Sequence, residues 1–277
     1  IYDAARIVDQ MDNIHFFQRP MVARDILNPA DLDFNTVYAS IKGTTKHVGC
    51  SFTEAEYMAP VFDMLHQVAG SEEKWRARPF VSNSNCFVVP PLRFATESCL
   101  VMEEAVRNGM PVLLLSAGQA GATAPASIAG AVAQALSEVI AGLIYVNAMH
   151  AGHPCICGTW PFVSDLRTGA MSGGSGEQGL LTAACSQMLQ HYDLPGGAAA
   201  GMADSKMPDA QSGYEKGSTL VMAGLSGLNM VYEAAGMHAS LLGFCLESLI
   251  IDNDMLGQCM RCVRGIEVND ATLDIQV

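Results

Sequence analysis

The residues with the most chemical potential in this chain lie in the stretch 194–217, LPGGAAAGMADSKMPDAQSGYEKG. Small residues open it, and Asp204, Ser205, Lys206, Asp209, Gln211, Glu215 and Lys216 follow within a few positions. Pro208 sits where a helix can start, because its missing N–H would be unpaired there anyway. The order reads as buried strand, polar loop, helix. Parallel α/β proteins place chemistry at that junction, although an ordinary βα loop has the same pattern. Asp204 and Lys206 flank Ser205, and Lys206 could form a Schiff base as in aldolase-type barrels or serve as a plain ion-pair donor. Glu233 stands in the run NMVYEAAG, residues 229–236. A carboxylate among apolar residues is costly unless it is paired or used. That leaves a catalytic role, or a buried ion pair with Lys206 or an arginine.

Other groups offer weaker signals. Ser172, Gly173, Gly174, Ser175, Gly176, Glu177 and Gln178 precede a helical pattern. Successive backbone N–H groups in such a loop can cradle an anion, but the phosphate-loop lysine and the dinucleotide glycine spacing are missing. Asn83, Ser84 and Asn85 offer several donors and acceptors at one strand end, or an Asx turn. Cys259 and Cys262 form one CxxC inside a helical pattern. Cys155 and Cys157, with His150 and His153 nearby, form a thiolate–imidazole set that reads better as core thiols and loop histidines. Trp160, Phe162, Tyr214 and Tyr232 could line a pocket for a methylated ammonium through cation–π contact, or simply cap the core.

Short strand-like runs alternate with longer helical patterns, and these elements must position the groups above. Strands are expected near 14–18, 47–52, 80–82, 112–116, 155–158, 196–201 and 229–234. Helices are expected over 2–11, 33–41, 53–68, 95–108, 125–148, 179–191, 209–227 and 239–262. Thr53 and Glu56 fit a capping box, and Gly109 fits a helix-ending glycine. This alternation implies a parallel sheet with crossover helices. Without dinucleotide-binding glycines it favours a (β/α)8 TIM barrel, one strand short, over a doubly wound sheet. Such a barrel presents Gln18, Arg19, Cys50, Ser51, Asn83–Asn85, Ser116, Gln119, Thr159, Trp160, Asp204–Lys206 and Glu233 at its C-terminal face.

Composition narrows the function. The chain has 277 residues, half of them hydrophobic, and a formal net charge of −13. That suffices for one barrel domain over residues 1–277. The acidity argues against nucleic acid and against an anionic membrane surface. Apolar runs such as 129–151 are broken by Gln134, Ser137, Glu138 and Asn147 and read as a buried helix rather than a span. Nine cysteines, an odd number, suit reduced thiols in a cytoplasmic enzyme. Long Gly/Ala-containing helices point to subunit contacts and a homo-oligomer. Ile1 opens the sequence inside a helical pattern, which suggests a fragment.

The stretch 201–216, GMADSKMPDAQSGYEK, together with SGGSGEQ (172–178), LIIDND (249–254) and VRGIE (263–267), resembles the trimethylamine methyltransferase family. The resemblance covers nearly the whole chain. It implies a (β/α)8 barrel longer than this chain, incomplete here at both ends. It also implies transfer of a methyl group from a tertiary or quaternary amine to the cobalt of a corrinoid protein. Cobalamin would come with that partner, none would be held tightly by this chain, and no metal would be needed. Some archaeal members carry pyrrolysine; this sequence has ordinary residues throughout, which points to the other branch and to a quaternary amine such as glycine betaine. On this reading Glu233 and Asp204 are the catalytic candidates. Trp160, Tyr214, Glu177, Asn83 and Asn85 would hold the substrate. Ser172, Gly173, Gly174, Ser205, Lys206 and Gln211 would face the corrinoid, on a docking rim formed by residues 83–85, 172–177 and 204–211. A Schiff-base aldolase using Lys206 and a non-catalytic betaine-binding relative are the alternatives.

Overall fold

The computed structural model describes residues 1–274. Seven parallel strands form one sheet in chain order: β1 (Phe16–Gln18), β2 (His47–Cys50), β3 (Val81–Asn85), β4 (Val112–Ser116), β5 (Cys155–Thr159), β6 (Gly196–Ala199) and β7 (Met230–Tyr232). Each strand pairs with the next, from Phe16 opposite His47 through Val112 opposite Cys155 to Gly197 opposite Met230. The helices are α1 (Tyr2–Asp9), α2 (Pro29–Gly43), α3 (Met58–Ala69), α4 (Glu72–Ala77), α5 (Thr96–Arg107), α6 (Ile128–Met149), α7 (Gly176–His191), α8 (Ala210–Leu225) and α9 (Leu246–Val263). The architecture is a nearly closed TIM barrel of seven strands.

Strand alternation divides the core into two layers. Leu113, Leu115, Ile156, Ala199, Met230 and Tyr232 share one cluster inside the barrel. Phe17, Val48, Val81, Val112 and Leu114 pack outward against the helices. The lumen leaves little room: a Cβ on Gly158 would lie 2.6 Å from the Leu114 carbonyl and 2.8 Å from Leu115 Cδ2. A helix in this layer needs its free N-terminal N–H groups met. The Asn28 side chain caps α2 just ahead of Pro29, and Ser175 caps α7. Asp209 and Ser212 form a reciprocal capping box on α8.

β1 and β7 do not pair with each other. Between them lies a cavity of ≈ 380 Å³ that runs the height of the barrel. Asn13, Ile14 and Leu228 line its lower part; Gln18, Pro20 and Glu233 line its upper part; Leu256 and Val263 line its outer wall. The barrel is open at this seam.

Several local expectations change. Thr53 does not cap a helix, because its N–H and hydroxyl both bind the Asp33 carboxylate, at 2.7 and 2.8 Å. A 3-10 turn, Ala55–Tyr57, follows instead, so Glu56 forms no capping box. Residues 237–244 form a small hairpin, Met237–His238 with Gly243–Phe244, before α9 begins at Leu246. Helix α6 is long and apolar enough to cross a membrane by composition alone. Here it is a crossover helix whose one charged group, Glu138, is buried and accepts the Leu92 N–H at 2.8 Å and the Ser116 hydroxyl. The nine cysteines are free.

Candidate active site

The C-terminal strand ends converge on a mouth walled by apolar and aromatic side chains. Trp160 follows β5, and its N–H donates to the Ser116 carbonyl at 2.8 Å. Its ring meets Tyr232 edge-on, with centroids 5.6 Å apart, and Phe162 at 5.1 Å. The buried indole Nε1 of Trp160 has no hydrogen-bond partner among the described residues. The Tyr232 hydroxyl donates to the Thr159 carbonyl at 3.1 Å. Burial, reinforced by nearby Cys86 and Glu233, holds that phenol well above its ordinary pKa. Met171, Met202, Met237, Leu241 and Phe244 complete the cluster.

Glu233 stands at this mouth as a buried titratable group. It directly follows β7 with φ at +62°, a conformation rare for a glutamate, which breaks the strand alternation. Its side chain lines the cavity beside β1. Burial pushes its carboxyl up to about 7, and the Arg19 guanidinium only partly offsets this. No hydrogen bond or ion pair reaches that carboxyl among the described residues. Its expected pairing with Lys206 is therefore absent, and its arginine is a neighbour rather than a contact. Cys86, at the end of β3, is solvent-accessible but recessed; burial and Glu233 raise its thiol to about 11. Such a thiol is a poor nucleophile.

Asp204 is engaged differently. Its Oδ2 accepts the Ser172 hydroxyl at 2.6 Å, and its Oδ1 accepts the Gly173 N–H at 2.7 Å, the Gly174 N–H at 3.3 Å and the Ser240 hydroxyl. The glycine-rich cradle is thus filled by the protein's own carboxylate. Glu215 repeats the device one layer below: its Oε2 accepts the Asp204 and Ser205 N–H groups, and its Oε1 accepts the Gln211 amide at 2.7 Å. Ser205 bonds Asp209, while Lys206 is exposed. The buried lysine is Lys216, which pairs with Asp252 at 2.6 Å.

Other expected residues separate from the mouth. β3 extends to Asn85, so Asn83 and Asn85 fall on the same outward face as Val81. The Asn85 amide donates to the Ser98 carbonyl in α5 at 3.0 Å. Ser82 and Ser84 point inward instead, and Ser84 donates to Gln18 at 3.1 Å. Glu177 and Tyr214 lie exposed on α7 and α8, Tyr214 by 65%. His153 is buried and bonds the Met110 carbonyl. Among the described residues no group of three His, Cys, Asp or Glu side chains is set to hold a metal. Residue spacing neither sets Arg19 beside Glu233 nor pairs Lys216 with Asp252: Lys216 stands between Glu215 and Gly217 in the polar first half of its helix, and Asp252 follows the apolar residues 249–251.

Comparison with known proteins agrees with this architecture. A family model described as "Trimethylamine methyltransferase (MTTB)" matches residues 1–277. The chain is 31% identical over 277 residues to trimethylamine methyltransferase MttB of Methanosarcina thermophila, covering 100% of this chain and 57% of that protein. It is 29% identical over 265 residues to a glycine betaine methyltransferase of Desulfitobacterium hafniense (strain Y51), covering 94% of this chain and 54% of that one. Among solved structures, the Methanosarcina barkeri monomethylamine methyltransferase MtmB superposes with a TM-score of 0.61 at 11% identity, over 95% of this chain and 55% of that one. The chain spans about half the length of the curated relatives it matches.

Proposed function

The chain belongs to the trimethylamine methyltransferase family, and from that premise we propose that it moves a methyl group from a small methylated amine, quaternary or tertiary, to the cobalt of a corrinoid protein. The observation that carries this reading is Glu233: a recessed, unpartnered carboxyl beside an aromatic wall at the open end of a parallel barrel. A methylated ammonium has no N–H, or one, to donate. It is held by negative charge and by π faces. Glu233 supplies the charge, and Trp160 and Tyr232 supply the faces.

The bound cation draws the proton off Glu233, because an opposite charge close by favours the ionised carboxyl. The aromatic and methionine cluster keeps water from the nitrogen and limits the directions in which a methyl can point. When the C–N bond breaks, its electron pair stays on nitrogen. The departing amine is neutral, and Glu233 no longer holds it. The chemistry a corrinoid supplies is a cobalt nucleophile for the methyl carbon. The loops around the mouth suit an apolar macrocycle on a carrier protein: Leu92, Leu166, Met207 and Leu242, each on a different βα loop, are between 65% and 92% exposed. The trimethylamine and glycine betaine relatives support both amine classes as substrates. A cytoplasmic homo-oligomer remains the setting we propose. Nothing in the structure favours the aldolase reading, since Lys206 is exposed.

The test is an assay of cob(I)alamin methylation with a panel of methylated amines. Methylation with at least one of them is expected, together with a loss of about 100-fold in Glu233→Gln with the fold intact. Full activity in that variant removes Glu233 from the reaction.

A further inference from the structure

We propose that Asp204 is a positioning residue, a clasp that holds residues 171–174 and 237–244 together as two halves of a lid over the barrel mouth. The assignment stands on the geometry of the rim and applies whatever ligand the mouth accepts. One carboxylate collects donors from both halves: Ser172, Gly173 and Gly174 from one, Ser240 from the other. The backbone supports it, with Ala239 N–H on the Ser205 carbonyl at 2.9 Å and Ser240 N–H on the Ala203 carbonyl at 3.0 Å. Each half carries an apolar plug, Met171 on one and Leu241 on the other, that packs on the cluster containing Trp160 and Phe162.

The second half is closed under strain. Ala239, Ser240 and Leu241 are consecutive non-glycine residues with φ of +48°, +49° and +75°. L-residues rarely adopt that conformation even singly, and a run of three persists only where surrounding contacts enforce it. The hairpin pairing of Met237–His238 with Gly243–Phe244 fixes the base of this strap. The tip, residues 239–242, is held by the Asp204 clasp, the two backbone bonds and the Leu241 plug. Leu242 points out at 92% exposure. Releasing the clasp lets the tip relax to ordinary backbone angles, which lifts Leu241 off the mouth. The lid is therefore poised between a strained closed form and a relaxed open one, with Asp204 setting the balance.

Two variants shift that balance in opposite directions. Asp204→Asn removes the charge that four donors share, and Ala239→Gly lets the closed tip adopt its backbone without steric conflict. Two readouts follow the lid: amide exchange at residues 171–174 and 237–244, and acrylamide quenching of tryptophan fluorescence. Trp75 is fully buried, so added quenching reports Trp160. Asp204→Asn is expected to speed exchange in both halves together by about tenfold or more and to raise quenching, with strand amides unchanged. Ala239→Gly is expected to slow exchange in both halves. The proposal is overturned if Asp204→Asn leaves quenching unchanged, or if Ala239→Gly speeds exchange. Should Asp204→Asn fail to fold, Ser240→Ala replaces it, and a change in the same direction as Ala239→Gly overturns the proposal equally. Neither readout uses turnover, so a failed methylation assay leaves this test standing.

Discussion

Lys216 Nζ lies 2.6 Å from Asp252 Oδ2, and both side chains are almost fully buried, between α8 and α9. The same aspartate oxygen accepts the Gly236 N–H at 2.8 Å. The pair therefore ties two outer helices to the backbone three residues beyond Glu233. Removing one member leaves the other as a buried, unpaired charge. Lys216→Met is expected to destabilise the fold by about 3–5 kcal/mol, and the double variant Lys216→Met/Asp252→Leu to recover most of that loss. Urea unfolding checks both; a double variant no better than the single one would show that the charges do not act as a pair.

Glu233 ties stability to pH in the direction opposite to a salt-bridged carboxylate. Its folded-state value of about 7 lies above the ordinary 4.5, so the native protein holds a proton that the unfolded chain releases between those values. The stability it contributes is therefore greatest at low pH and declines as pH rises from about 4.5 to 7. Glu233→Gln mimics the protonated form and escapes the decline. The variant is expected to gain about 1–2 kcal/mol on the parent between pH 5 and pH 8, the partly solvated carboxyl keeping the figure small. Equal differences at the two pH values would place the Glu233 titration outside this window.

The same titration shapes ligand binding. A methylated ammonium binds the ionised carboxylate, so its affinity is expected to rise with pH through about 7 and then level off. Isothermal calorimetry with tetramethylammonium as probe checks this, and binding below pH 7 should release a proton into the buffer. Affinity that is flat across pH 6 to 8 would mean that the cation sits elsewhere.

Trp160 offers its ring to the mouth while its Nε1 finds no partner among the described residues. Trp160→Leu keeps an apolar side chain but removes the π face. It is expected to weaken tetramethylammonium binding by about 2- to 30-fold, the span of a cation–π contact of about 0.5–2 kcal/mol, and to leave a neutral branched alcohol such as tert-butanol unaffected. Equal losses for both probes would reduce Trp160 to packing.

Much of the barrel is legible in the sequence. The runs at 112–116 and 155–158 are short and apolar and are bounded by Pro111 and Pro154, so both appeared close to their observed bounds. Glu233 stood out because a carboxylate beside Val231 and Tyr232 needs a reason to be there. The eighth strand of a full barrel has no counterpart among the described residues, and β1 and β7 flank the gap.

What the sequence determined by itself was the order and period of the elements, because each follows from local apolar spacing, turn residues and helix caps. Tertiary structure decided where the charges go. Extending β3 to Asn85 put Asn83 and Asn85 on the outer face, since side chains on a strand alternate at every residue. Asp204 met Ser172 and Ser240, 32 and 36 residues away, and Lys216 met Asp252, 36 residues away. Such partners are chosen by how helices and loops pack around the barrel, and no local pattern records that choice.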